Sequence, residues 1–155
     1  MSGPRSIAVD DLARRADIVC HAFKWVGTPY RHQASAMGQG TDCLGLIRGV
    51  WRYLYGSEPS LVPPYTPDWV EERGDEPLLT AAQSYMQAQS LTTMLPGDMI
   101  LFRVIPQGPA KHCGIYVGEG RFIHAYAGRD VVASWLSSWW QDRIVGVFSF
   151  PDQNP

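Results

Sequence analysis

The sequence predicts an α+β protein in which helices come first and a mainly antiparallel sheet follows. Apolar residues recur at helical spacing in two segments before residue 56, and the period changes to that of strands after residue 97. Helices followed by a run of strands, rather than alternating with them, are typical of α+β folds. The 155 residues fit one domain, spanning 1–155, with a sizeable core.

Two N-terminal helices are predicted, over residues 10–26 and 43–55. Asp10 is suited to cap the first, and Gly27 ends it. The apolar residues of the first helix step by four, three, four and three positions, so they share one predicted inward face. They are Leu12, Ala16, Val19, Phe23 and Val26. The inward residues of the second helix, which Gly56 ends, are Leu46, Ile47, Val50, Trp51 and Leu54. Residues 31–41 are polar and rich in Gly, which predicts a loop.

The middle of the chain, residues 57–98, differs in composition. It carries seven acidic residues against Arg73 alone, and four prolines lie in its first part. We predict an extended arm followed by a helix over residues 77–90, which Pro77 opens. The acidic stretch is either a docking surface or a solvated face, and its composition fits both.

Strand-like runs fill the remainder of the chain. They are rich in β-branched and aromatic residues and are separated by Gly, Pro or polar turns. These runs cover residues 99–104, 112–117, 121–127, 131–135 and 144–150. Their short connections predict a meander of antiparallel strands.

Composition excludes several classes of protein. The 6 Trp, 7 Tyr and 5 Phe supply apolar area that a disordered chain lacks. A net charge of −2 gives no support to nucleic-acid binding. No run approaches the roughly 20 apolar residues of a membrane helix, and the start of the chain lacks the apolar run of a secretory signal. We therefore expect a protein made in the cytoplasm that neither inserts into a membrane nor leaves by that route.

Among the three cysteines, Cys43 has a distinctive position. An odd count excludes a full disulfide framework, and we predict Cys20 and Cys113 to be buried thiols. Cys43 begins the second helix, where unpaired amides and the helix dipole stabilise a thiolate. A histidine nearby brings such a thiol from a pKa of about 8.5 into the range of about 3.5–7.5. Cys43 is therefore a candidate nucleophile, and the alternative is a small apolar residue at the end of a helix.

His112 and His124 lie on consecutive predicted strands. If residues 118–120 close the hairpin as a three-residue loop, Val117 faces Arg121 and both histidines share one face as diagonal neighbours. Two imidazoles in contact fit a base and the group that orients it. Gly114, between them, then leaves space for the end of a helix. His21 and His32 have no predicted role.

A catalytic zinc is the alternative use of one thiol and two imidazoles. Cys43, His112 and His124 lack the short ligand spacing of zinc motifs, and no carboxylate accompanies them. Asp42, beside Cys43, is better placed to cap the helix. We therefore expect no metal and no cofactor.

Five motifs occur in one order along nearly the whole chain. They are residues 27–30 (GTPY), 41–48 (TDCLGLIR), 95–102 (LPGDMILF), 112–118 (HCGIYVG) and 122–125 (FIHA). Together they resemble the successive motifs of NlpC-type peptidases, the NlpC and p-sixty superfamily. Two positions depart from the usual pattern: Leu44 replaces a small residue, and Cys113 replaces an aliphatic one.

The resemblance implies a papain-like fold and a cysteine endopeptidase of the cell wall. Its substrate would be a peptidoglycan stem peptide, cut at the γ-D-glutamyl–diaminopimelate bond. The resemblance further implies Cys43 as nucleophile, His112 as general base and His124 as the residue that orients the base. Tyr30 and Asp42 match the tyrosine and the acidic residue near the thiol, as substrate-binding or oxyanion support.

The first loop, residues 30–40, looks most like the branch encoded with phage tails and gene transfer agents. That likeness implies tail, hub or baseplate proteins as partners, incorporation in a phage-like tail particle, and action in the periplasm or cell wall. Within residues 57–76, Tyr65 and Trp69 are either anchors for such a partner or part of the core. A muramoyl-alanine amidase and a non-enzymatic tail structural protein are the alternative functions.

Overall fold

Twelve α-helices and β-strands and one short 3₁₀ helix (Leu91–Thr93) occur in the residues that the computed structural model describes, 7–59 and 76–152. The helices are α1 (Val9–Phe23), α2 (Cys43–Tyr55), α3 (Pro77–Tyr85) and α4 (Ser138–Gln141). The strands are β1 (Ser35–Ala36), β2 (Gly40–Thr41), β3 (Gln87–Gln89), β4 (Met99–Phe102), β5 (His112–Gly118), β6 (Arg121–His124), β7 (Val132–Trp135) and β8 (Ile144–Ser149).

An antiparallel sheet of six strands organises this part of the chain. Its order is β3-β8-β4-β5-β6-β7, and β1 pairs with β2 in a separate small hairpin. Every pair within the larger sheet is antiparallel. Three helices, α1, α2 and α3, precede this sheet in the chain, so the predicted α+β class is confirmed.

The sheet separates two apolar clusters. On one face, α2 packs through Leu46 and Val50 against strand residues that include Cys113 and Ile115 of β5. On the other face, a smaller cluster is built around Phe102 and its neighbours. Because side chains alternate along a strand, β5 sends its first residue to the second cluster and its next residue to the helix.

Helix α2 has the predicted bounds. Asp42 caps its start by accepting a hydrogen bond at Oδ1 from the Gly45 amide, at 2.7 Å. Gly56 ends it with a φ of 82°, and its amide donates to the Arg52 carbonyl. Four of the predicted inward residues are buried, and Leu54 packs partly buried against the same core. Capping signals and apolar spacing agree here, which is why the prediction holds.

The predicted inward face of α1 is wrong. Leu12 and Phe23 are exposed, whereas Arg15, Ile18 and Ala22 are buried. The helix ends at Phe23, and Ala8 rather than Asp10 occupies the cap position, with no side-chain cap. Because the buried face of α1 includes the charged residue Arg15, the spacing of apolar residues does not identify that face.

Three other elements differ from the prediction. The predicted helix over residues 77–90 ends at Tyr85, and β3 then pairs with β8. The predicted loop over residues 31–41 contains the β1–β2 hairpin, and α4 was not predicted at all. These are short elements, and tertiary pairing decides their structure more than local propensity does.

The β5–β6 hairpin nearly follows the predicted register. Ile115 opposes Ile123 and Tyr116 opposes Phe122, as expected, but Gly118 rather than Val117 faces Arg121. The register shifts after Tyr116, so a bulge takes up one residue and leaves a two-residue turn. Glu119 and Gly120 in that turn both have positive φ, of 55° and 74°, which a two-residue hairpin of this hand requires.

The remaining predictions about cysteines and segments have mixed outcomes. Cys113 is buried as predicted, whereas Cys20 is exposed and that prediction is wrong. The predicted extended arm and docking segment, with Tyr65 and Trp69, fall largely on residues 60–75, which lie outside the described residues. Among the described helices, none combines the length and the apolar character that crossing a membrane requires.

A buried ion pair joins α1 to the start of the sheet. The Arg15 Nη1 atom donates to Asp98 Oδ1 at 2.7 Å, and Asp98 is completely buried. The same nitrogen donates to the Pro96 carbonyl at 3.1 Å, and Asp98 Oδ2 accepts from the Leu95 amide at 2.9 Å. The LPGD motif is therefore a turn that Asp98 closes and Arg15 holds against α1.

Replacing Arg15 by Met is expected to lower the free energy of unfolding by about 3–5 kcal/mol, because a buried carboxylate at Asp98 loses its partner. Urea denaturation measures the change. Lys24→Met, at the exposed end of the same helix, is the matched control and should change the free energy by less than about 0.5 kcal/mol. A similarly small change for Arg15→Met would show that this ion pair does not hold α1 in place.

Candidate active site

Cys43 is the first residue of α2, and the loop before the helix is fixed by Asp42. The two carboxylate oxygens of Asp42 accept from two backbone amides, Oδ1 from Gly45 and Oδ2 from Gln33, each at 2.7 Å. Asp42 itself is buried, whereas the Cys43 side chain keeps part of its surface exposed. The cap therefore holds a partly accessible thiol at the helix end.

Gly45 allows the preceding loop to approach the helix. A Cβ atom at this position would lie 2.0 Å from the Ala34 carbonyl oxygen and 2.5 Å from Thr41 Oγ1. Any other residue would push the β1–β2 hairpin away from the start of α2. Gly45 therefore lets the backbone at Ala34 contact the first turn of α2, which begins with Cys43.

The Cys43 thiol lies against the start of β5. Its Sγ atom is 3.4 Å from the Lys111 carbonyl oxygen, and Cys113 Sγ is 3.4 Å from the Cys43 carbonyl oxygen. A hydrogen bond from Cys113 lowers the pKa of Cys43, and so do the hydrogen bond and the charge of His112. Burial raises this pKa, but the lowering effects are larger and bring it to about 5. The hydrogen bond with Cys43, together with burial, raises the pKa of Cys113 well above its ordinary value. Cys43 is thus a thiolate at neutral pH, and Cys113 stays a protonated donor.

His112 and His124 form a buried hydrogen-bonded pair. His112 Nε2 and His124 Nδ1 are 2.8 Å apart, and His124 Nε2 lies 2.8 Å from Ser134 Oγ. Burial and the charge of His112 lower the pKa of His124 to about 3. His124 is therefore neutral at any pH near 7.

Aromatic rings surround this histidine pair. Trp140, from α4, stacks on His112 with ring centroids 5.3 Å apart, and its edge meets His124 at 5.1 Å. Tyr126 packs edge-on against His112 at 5.4 Å. Neither Trp140 nor Ser134 was predicted from the sequence to belong to the site. Their signals, two adjacent tryptophans and one serine in a strand, are too common to identify a site.

The geometry brings together the residues singled out from the sequence. Tyr30 bridges to Thr41 and packs partly buried on the core. Burial and the charges of Cys43 and Asp42 raise the pKa of Tyr30 to about 12, so its phenol stays protonated at neutral pH. His32, for which no role was predicted, has Nδ1 3.9 Å from Asp42 Oδ2.

The role predicted for Gly114 is wrong. The helix end does not approach over Gly114 but on the opposite face of β5, at Cys113. A Cβ atom at Gly114 would lie 2.8 Å from the Ile123 carbonyl oxygen and 3.1 Å from the His124 Cβ atom. Gly114 therefore lets β6 bring His124 close to His112.

The described residues do not form the ligand cluster that the zinc alternative requires. Within residues 7–59 and 76–152, no group of three or more His, Cys, Asp or Glu residues is arranged to hold a metal ion. The facing nitrogens of His112 and His124 bond to each other, so they do not point at a common ligand site.

The chain is similar to known proteins. A family model described as NlpC/P60 family matches residues 27–149. Gamma-DL-glutamyl hydrolase of Bacillus subtilis is 30% identical over 99% of this chain, and murein DD-endopeptidase MepH of Escherichia coli is 29% identical over 78% of it. The matches cover only 35% and 40% of those two relatives.

A solved structure shows the same fold. The crystal structure of an NLP/P60 family protein, similar to lipoprotein, from Staphylococcus aureus has a TM-score of 0.61 and 23% identity. The match covers 96% of this chain and 44% of that one. The α+β architecture is therefore papain-like, as the motifs implied.

Cys113→Val is expected to raise the pKa of Cys43, because the thiolate loses its strongest hydrogen bond. A hydrogen bond to a charged group contributes about 1.5 kcal/mol, or about one pKa unit. The pH dependence of Cys43 alkylation by iodoacetamide, followed by mass spectrometry, measures this shift. Cys20→Val is the matched control, since Cys20 is exposed and remote. An unchanged midpoint in Cys113→Val would contradict the role of this hydrogen bond.

Proposed function

The chain belongs to the NlpC/P60 family, and on this premise we propose that it is a cysteine peptidase that hydrolyses peptidoglycan stem peptides. The observation that carries the proposal is the placement of the Cys43 thiol at the start of α2 and against the start of β5, the strand that carries His112 of the His112–His124 pair. Contacts with Cys113 and His112 lower the pKa of this thiol to about 5. A thiolate formed at neutral pH is the nucleophile of this chemistry. The names of both curated relatives, a glutamyl hydrolase and a murein endopeptidase, agree with such a substrate.

In the proposed mechanism, the Cys43 thiolate attacks the scissile carbonyl carbon. As the C–N bond breaks, His112 gives its proton to the leaving amine and a thioester remains on Cys43. Water then attacks the thioester, His112 takes a proton from that water, and the Cys43 thiolate leaves. Since His112 Nε2 faces His124, the nitrogen that exchanges protons is Nδ1.

The start of α2 supplies the oxyanion site in this proposal. The first hydrogen bond within the helix runs from the Leu46 amide to the Asp42 carbonyl, so the amides of Cys43 and Leu44 precede it. Amides in this position stabilise negative charge that develops beside the nucleophile. Tyr30 and Asp42 support the substrate next to the thiol.

We propose the γ-D-glutamyl–diaminopimelate bond as the site of cleavage. The match of 99% of this chain to part of a γ-DL-glutamyl hydrolase favours this choice over the DD bond named for the Escherichia coli relative. A muramoyl-alanine amidase of similar fold is the alternative, and the fragments released from purified peptidoglycan distinguish the three bonds.

Replacing Cys43 by Ala is expected to abolish hydrolysis of a tetrapeptide muropeptide, by at least about 1000-fold, because the nucleophile is removed. Mass spectrometry of the digest measures turnover and identifies the bond. Cys20→Ala is the control and should retain full activity, and the thermal midpoint of Cys43→Ala should stay close to that of the wild type. Turnover by Cys43→Ala would overturn the mechanism, and an inactive wild type would favour a non-enzymatic tail protein.

We also propose that a phage-like tail particle delivers the enzyme to the periplasm or cell wall. The form of the loop over residues 30–40, which folds as the β1–β2 hairpin, supports this proposal through its resemblance to tail-associated relatives. Tail, hub or baseplate proteins would then be its partners. If the proposal holds, the protein co-sediments with purified tail particles and anti-tail antibodies capture it. A protein found only outside particles would contradict delivery while leaving the peptidase proposal intact.

A further inference from the structure

Ser134 extends the chain of hydrogen bonds beyond the histidine pair. It lies on β7 opposite Phe122 of β6, so it is a diagonal neighbour of His124 on the same face of the sheet. Its Oγ atom is 2.8 Å from His124 Nε2, the nitrogen that faces away from His112. No motif of the sequence analysis included it.

The protonation state of His112 determines what His124 must do. When His112 is an imidazolium, both of its ring nitrogens carry hydrogen, and Nε2–H donates to His124 Nδ1. His124 Nδ1 must then present a lone pair. Since His124 is neutral, its single proton lies on Nε2 and needs an acceptor. Ser134 Oγ lies at hydrogen-bond distance from that proton.

The surroundings of His124 provide few other groups for this task. The titratable residues facing its ring are His112, from β5, and Tyr126, whose ring centroid is 6.0 Å away. Phe122 and Trp140 cover it with carbon surface, at centroid distances of 4.2 Å and 5.1 Å. A buried N–H without an acceptor is costly, so a lost hydroxyl at position 134 favours the other tautomer.

We propose that Ser134 is a positioning residue that holds His124 in the Nε2–H tautomer, so that His124 accepts the hydrogen bond of protonated His112. The opposite tautomer would set two N–H groups against each other at 2.8 Å and destabilise the imidazolium. Through this relay Ser134 supports the hydrogen bond and charge by which His112 acts on the Cys43 thiol. The inference rests on the proposed function only for its effect on turnover.

Ser134→Thr and Ser134→Val form a matched pair for the test. Both are β-branched and equal in shape, so both suit a strand, and only Thr retains the hydroxyl. In Ser134→Val we expect the alkylation midpoint of Cys43 to rise by about one pH unit and kcat to fall about tenfold, with KM nearly unchanged. Ser134→Thr should retain wild-type values. Side-chain ¹⁵N shifts of His124 should report Nε2–H in the wild type and in Thr, and its loss in Val.

A His124→Ala background separates positioning from packing. There, Ser134→Val should have no further effect on the alkylation midpoint, because the group through which Ser134 acts is absent. Equal midpoints and equal ¹⁵N shifts for folded Thr and Val variants would overturn the proposal, as would an effect of the same size without His124. Alkylation and ¹⁵N shifts need no substrate, so an enzyme that fails to cut peptidoglycan refutes the proposed function and leaves this test decisive.

Discussion

The placement of Cys43 depends on the two hydrogen bonds that the buried carboxylate of Asp42 accepts. One fixes the first turn of α2 and the other fixes the loop before it, so the Cys43 thiol sits at a rigid junction. This cap has an electrostatic cost, because the negative charge of Asp42 raises the pKa of the adjacent thiol. The hydrogen bond from Cys113 and the charge of His112 offset that cost, and the pKa of Cys43 still falls to about 5.

The sheet explains how groups of opposite character meet at this junction. Neighbouring residues at the start of β5 point to opposite faces, Cys113 toward the helix and His112 toward the aromatic cluster. The thiol thus has a thiol donor from the helix face and an imidazole from the other face. Trp140 covers the imidazole pair and keeps it in surroundings where His124 remains neutral.

Local signals were enough to predict the part of the site that is contiguous in sequence. The Asp42 cap, the Cys43 thiol and the apolar face of α2 all lie within residues 42–56, and the bounds of that helix follow from its capping residues and apolar spacing. The hairpin predicted from the turn at residues 118–120 also placed His112 and His124 next to each other, and the observed register differs from it by one bulged residue. The buried face of α1 was not predictable in this way, since it includes Arg15, whose buried partner Asp98 lies 83 residues further on. The positions of Ser134 and Trp140 beside the histidine pair depend on the tertiary placement of β7 and α4. No local sequence pattern predicts that placement.

The low pKa of His124 also makes the stability of the folded protein depend on pH under acidic conditions. Its pKa is about 3 in the folded protein, whereas an unfolded histidine titrates near 6.5. Between these two values unfolding takes up a proton at this side chain, so the folded state loses stability as the pH falls below about 6.5. Above that value the side chain is neutral in both states and contributes no pH dependence. The same burial that keeps the relay neutral therefore ties the integrity of the domain to the proton concentration around it.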